Sequence, residues 1–118
     1  RGEGGVRVEK VAAAVDIGRT VNIDLARQQI EGGLIFGLGL ALGASISYDK
    51  GEPGVARLGA LNLPTLADSP QIDVAFIPSE AEPVDPGELG GAVIAPALGN
   101  ALFSACVGFR CSRRAFDA

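Results

Sequence analysis

The sequence predicts an α+β domain. It should be a two-layer sandwich, with two helices packed on one face of a mostly antiparallel sheet, in the order β-α-β-β-β-α. Three observations lead there. Apolar residues alternate through much of 6–17 and 71–77, the period of a half-buried strand. A capped, largely apolar stretch of helical length follows the first of these. The middle of the chain is rich in turn residues and reads as a hairpin, and hairpins beside segregated helices suggest this class.

The first strand spans 6–17. Its apolar positions change parity between Val8 and Val11, which marks a bulge or a twist. Asp16-Ile17-Gly18-Arg19-Thr20 ends it. Asn22 is a good N-cap, and Asp24 in the first turn complements the helix dipole, so a helix is expected over 23–42. Its first half is amphipathic, with Arg27, Gln28, Gln29 and Glu31. Its second half, from Gly32 to Gly43, carries no charge on any face, the mark of a buried helix.

That glycine-studded half admits three readings. A membrane span with close glycine contacts is one, but the uncharged run over 32–48 is short for a span and includes Ser45 and Ser47. A dinucleotide fingerprint is another, but Gly37-Leu38-Gly39 lacks its third glycine and lies inside a helix. A central helix whose glycines admit close packing is the favoured reading.

Short strands are expected at 45–48 and 55–61 around the turn Asp49-Lys50-Gly51-Glu52. A connector follows over 63–70. The strand 71–77 is stopped by Pro78. A long loop covers 79–91. Pro96 fits the first turn of a final helix over 95–107, with Ala97, Leu98, Ala101, Leu102 and Ala105 as its buried stripe. The remainder, 109–118, is a basic tail.

Composition narrows the function. The 118 residues suit one domain with one modest core. A net charge of −4 and six aromatic residues, five Phe and one Tyr, speak against nucleic acid as a partner. There is no histidine, so the chain holds no Ser-His-Asp or Cys-His machinery. Cys106 and Cys111 cannot complete a metal or iron–sulfur site by themselves. The opening Arg1-Gly2-Glu3-Gly4-Gly5 has no signal-peptide pattern and reads as a turn cut into a longer protein.

The stretch Asp85-Pro86-Gly87-Glu88-Leu89-Gly90-Gly91 is the candidate site. Pro86 and Gly87 read as the centre of a type II turn, with Gly87 at positive φ. Glu88 then emerges among glycines that allow close approach, as a directed carboxylate suited to general-base work. The local sequence taken alone favours the plainer reading, a surface loop with a stray acid.

Longer segments carry a resemblance. Val15-Asp16-Ile17-Gly18-Arg19, Asn22-x-Asp24 and Gln29-Ile30-Glu31-Gly32-Gly33-Leu34-Ile35-Phe36-Gly37-Leu38-Gly39 are followed by Gly87-Glu88-Leu89-Gly90 and Ile94-Ala95-Pro96-Ala97-Leu98-Gly99-Asn100-Ala101. In this order and at about this spacing, they resemble the C-terminal part of the large subunit of molybdenum hydroxylases, the xanthine dehydrogenase and aldehyde oxidoreductase family. Among subfamilies the chain is most similar to bacterial isoquinoline 1-oxidoreductase beta subunits. The resemblance runs from about Val6 to Arg114. Leu89 stands where many relatives have proline, and Val84-Asp85-Pro86 where they have Gly-Gly-Val.

The resemblance implies that the whole chain, 1–118, is the C-terminal fragment of a molybdopterin-binding subunit. It implies that Glu88 is the general base beside molybdenum and that Gln29 hydrogen-bonds the molybdopterin. The implied reaction hydroxylates an N-heteroaromatic or aldehyde substrate with water as oxygen source. Implied partners are the rest of the large subunit and an iron–sulfur subunit or domain with two [2Fe-2S] clusters. The fragment alone is expected to be inactive, to hold no cofactor and to self-associate. The rival reading is a small non-catalytic interaction module that self-associates through its apolar helix surface.

Overall fold

The structure, a computed structural model, describes residues 6–43, 45–61 and 63–106. The expected tail over 109–118, the end of the last helix at Val107, and Cys111 lie outside the described residues.

Strand β1 is Lys10–Val15 and helix α1 is Ile23–Ala41. The oxygen of the Asn22 side chain accepts from the Asp24 and Leu25 amides at 3.1 and 3.0 Å, so the predicted cap sets the start of α1. Strands β2, Tyr48–Asp49, and β3, Glu52–Pro53, are two residues each. They pair antiparallel around Lys50 and Gly51, whose φ of 49° and 88° are those of a type I′ turn. The predicted return strand over 55–61 does not form. Leu58–Ala60 is a 3-10 turn instead. Strand β4 is Gln71–Phe76 and helix α2 is Leu89–Cys106.

The element order is the expected one, but the sheet is not. β1 pairs with β4 in parallel, Lys10 opposite Gln71 through Val15 opposite Phe76. The β2–β3 hairpin is a separate ribbon. Strands joined through a helix can lie side by side in parallel, because the crossover returns the chain to the same end. The hairpin strands are too short to extend that sheet.

Alternation decides what the strands bury. Val11, Ala13 and Val15 of β1 and Ile72, Val74 and Phe76 of β4 turn toward the helices. They meet a core of Ile30, Leu34, Leu38, Val74 and Ile94. On the opposite face Lys10 and Asp73 form an ion pair. The hydrogen bond from the Lys10 ammonium, and then its charge, hold the Asp73 carboxyl below its ordinary value. Arg27 reaches from α1 to β4, where its guanidinium donates to the Val74 carbonyl and lies 5.4 Å from the centre of the Phe76 ring.

Helices α1 and α2 pack through glycine. A Cβ on Gly37 would meet the Ile94 side chain and, at 2.9 Å, the Gly91 backbone. A Cβ on Gly90 would fall 2.7 Å from the Ile30 carbonyl oxygen and nearer still to the Leu34 amide nitrogen. Backbone therefore lies on backbone, which only the missing side chains permit. Helix α2 begins six residues before the predicted 95 and keeps Pro96 inside it. The predicted stripe is corrected as well. Ala97, Ala101 and Ala105 are exposed, Leu98 and Leu102 half-buried, and Gly90 and Ile94 carry the contact.

Candidate functional site

Gln29 lies in the second turn of α1, and Glu88 immediately precedes α2. Both are exposed. Among the described residues neither side chain forms a hydrogen bond or an ion pair. Fifty-nine positions separate them in sequence, yet their neighbours touch. Gly90, two residues after Glu88, rests on the carbonyl of Ile30, the residue after Gln29. A Cβ on Gly33, one turn on from Gln29, would lie 3.3 Å from the Gly87 carbonyl oxygen. The glycine contact thus brings an amide and a carboxylate to the same end of the helix pair.

The turn before Glu88 differs from the one expected. Gly87 does not take positive φ. The Asp85 side chain caps the turn instead, its Oδ1 accepting from the Gly87 amide at 2.8 Å. The Glu88 carbonyl accepts from the Ala92 amide at 3.3 Å, so Glu88 is the residue from which α2 starts.

The fold reveals a further turn that sequence reasoning treated only as the end of a strand. Gly18 has φ of 70°, and its amide donates to Asp16 Oδ1 at 3.0 Å. Next to it runs the loop that leads to Glu88. The Arg19 amide donates to the Ala81 carbonyl at 3.0 Å, and the Val84 amide to the Ile17 carbonyl at 3.1 Å. The signal was present in the sequence as Asp-x-Gly, a motif that favours a left-handed turn.

A groove of about 370 Å³ runs between β1 and α2. Val11 to Asp16 form one wall and Leu89, Gly90, Val93, Ile94 and Ala97 the other. It is apolar. Glu88 and Gln29 stand outside it, although Leu89 and Gly90 are on its rim. The polar pair and the groove are separate features of one end of the domain.

Among the described residues no group of three or more His, Cys, Asp and Glu could hold a metal ion. Gln29 offers an amide, able to donate and accept, and Glu88 a carboxylate acceptor. A cofactor held by these two residues would have to bring its own metal ligands.

Comparison with known proteins agrees with the resemblance. The chain is 37% identical over 110 residues to the membrane-bound aldehyde dehydrogenase [pyrroloquinoline-quinone] of Gluconacetobacter polyoxogenes, covering 93% of this chain and 14% of that protein. It is 32% identical over 101 residues to isoquinoline 1-oxidoreductase subunit beta of Brevundimonas diminuta, covering 86% and 13%. The chain therefore spans about one seventh of these relatives. The fold is shared with quinoline 2-oxidoreductase from Pseudomonas putida 86, at a TM-score of 0.78 and 24% identity, over 86% of this chain and 14% of that one. The family model for the molybdopterin cofactor-binding domain matches residues 1–70, a stretch that contains Gln29 but not Glu88. By that match, which takes in more than half of the sequence, the chain belongs to the molybdopterin cofactor-binding domain family.

Proposed function

We propose that this chain works as the C-terminal part of a molybdenum hydroxylase large subunit, supplying the general base Glu88 and the cofactor contact Gln29. The observation that supports this reading is the meeting of the two residues' turns through Gly33 and Gly90. Two polar side chains, far apart in sequence and without a partner among the described residues, stand at one end of a helix pair that only glycine allows to close.

When bound, molybdopterin supplies the oxygen-transfer and two-electron chemistry of the reaction. The protein's share is positioning and proton transfer. The Glu88 carboxylate accepts a proton at one oxygen as an electron-poor carbon of an N-heteroaromatic or aldehyde substrate is hydroxylated, with water as the oxygen source. The Gln29 amide, which can donate and accept, would hold the cofactor and help to orient it. An iron–sulfur subunit or domain with two [2Fe-2S] clusters would be the electron acceptor.

Gln29→Ala tests the cofactor contact. In the complete subunit it should leave a buried partner unsatisfied, at about 1–3 kcal/mol, or about ten- to hundredfold in affinity. Molybdenum and pterin per subunit, measured by mass spectrometry and fluorescence, should fall. Unchanged content would remove Gln29 from the cofactor site.

The rest of the large subunit has a surface to dock on. Val21 is 98% exposed and Leu66 92%, and Phe36, Leu40 and Phe103 project from the helices. The second half of α1 is apolar all round but buried on one face only, through Leu34, Leu38 and its glycines. Apolar surface of this kind promotes association when uncovered. Expressed alone, the chain should form dimers or larger species by light scattering. A monomer at high concentration would show that these residues do not form a docking surface.

A further inference from the structure

We propose that the turn Ile17-Gly18-Arg19 is a positioning clamp for Glu88, holding the loop that carries the carboxylate in register with the helix pair. The inference rests on the reading of Glu88 as the base.

The chain leaves β4 at Phe76, and the parallel ladder continues one step as the Ile77 amide donates to the Val15 carbonyl at 2.8 Å. Contact then returns at residues 81–84. The Arg19 amide binds the Ala81 carbonyl, and the Ile17 carbonyl receives the Val84 amide, so two hydrogen bonds straddle Gly18. Between them Gly18 turns its Cα to the loop. A Cβ there would lie 2.8 Å from the Ala81 carbonyl oxygen and closer still to that of Glu82. Gly18 is thus required twice, by its φ of 70° and by the approach of another backbone. Ile17 is 5% exposed and anchors the turn to the domain. Arg19 and Glu82 add an exposed ion pair at 3.4 Å, a minor contribution.

Only Asp85, Pro86 and Gly87 lie between the clamp and Glu88. Two of the three are constrained. The Pro86 ring fixes φ, and the Asp85 carboxylate holds the Gly87 amide. Beyond Glu88, Gly90 is seated on α1. The backbone at Glu88 is therefore held from both sides, by α1 downstream and by the Gly18 turn upstream. A displacement of about 1 Å at a reacting group can cost about 10²-fold in rate.

The test uses the complete, cofactor-loaded subunit and five variants: Gly18→Ala, Val84→Pro, Glu88→Gln, and each of the first two combined with Glu88→Gln. Val84→Pro removes one clamp donor from an exposed residue and adds no Cβ at Gly18, so it serves even where Gly18→Ala accumulates poorly. Both clamp variants should lower kcat by about tenfold or more, with molybdenum content unchanged and faster amide exchange confined to residues 81–88. On the Glu88→Gln background, Gly18→Ala or Val84→Pro should remove little further activity, because a residue acting through Glu88 has nothing left to align. Losses that multiply on that background, or wild-type kcat in both clamp variants, would overturn the inference. Near-normal turnover of Glu88→Gln alone would instead overturn the reading of Glu88 as base.

Discussion

Glu88→Gln in the complete subunit should lower turnover by about 10²–10⁴-fold, the usual weight of a positioned general base. Glutamine keeps the shape of the side chain and the start of α2, because the Glu88 carbonyl, not its carboxylate, receives the Ala92 amide. The fold should therefore be untouched, and so should the content of molybdenum and pterin. What is lost is the ability to accept a proton. Steady-state kinetics with a heteroaromatic or aldehyde substrate, beside metal quantified by mass spectrometry, measures both. A variant within about tenfold of wild type would be too active for a lost base, and Glu88 would then be a loop acid.

Gly90→Ala should loosen α2 from α1. The added methyl would meet the Leu34 amide nitrogen, the Gly33 carbonyl carbon and the Ile30 carbonyl oxygen, all backbone. Backbone inside a helix cannot rotate aside, so the strain should reach about 1–3 kcal/mol, the range of overpacked interiors. Alanine's better helix propensity offsets at most about 1 kcal/mol of this. Gly32→Ala provides the contrast. It stands in α1 with nothing within 4 Å of its would-be Cβ, so the same change there should stabilise by about 0.5–1 kcal/mol. Native-state hydrogen exchange of the α2 amides reads the difference. Equal exchange in both variants would show that the helices have room to part at Gly90.

These glycines also explain what could be read in advance. Helix α1 was legible almost to the residue, because Asn22 caps it and its apolar face repeats at helical spacing. Strand β4 was legible from the alternation of Ile72, Val74 and Phe76 before Pro78. The start of α2 was not. Gly90 and Gly91 have poor helix propensity and Pro96 favours a first turn, so local preference argued for a loop through 91. Contact with α1 overrides it. The direction of the β1–β4 pairing was equally hidden, because it depends on which strands become neighbours. As for the candidate site, Gln29 and Glu88 were named from motifs, but the contact of their neighbours Gly33 and Gly90, and the hydrogen bonds around Gly18, are tertiary and left only an Asp-x-Gly trace.

The parallel pairing has a kinetic side. β1 finds its partner only after the helix, the hairpin and both 3-10 turns have been made, because Lys10 must meet Gln71. Contacts so distant in sequence close slowly, while a helix such as α1 can form as it emerges. The face of α1 that carries Ile30, Leu34 and Leu38 can be closed by Val74 and Ile94 only after both have been synthesised. A nascent chain stalled before β4 presents a bare apolar helix beside an unpaired strand edge, the kind of surface that chaperones bind and that aggregates form from.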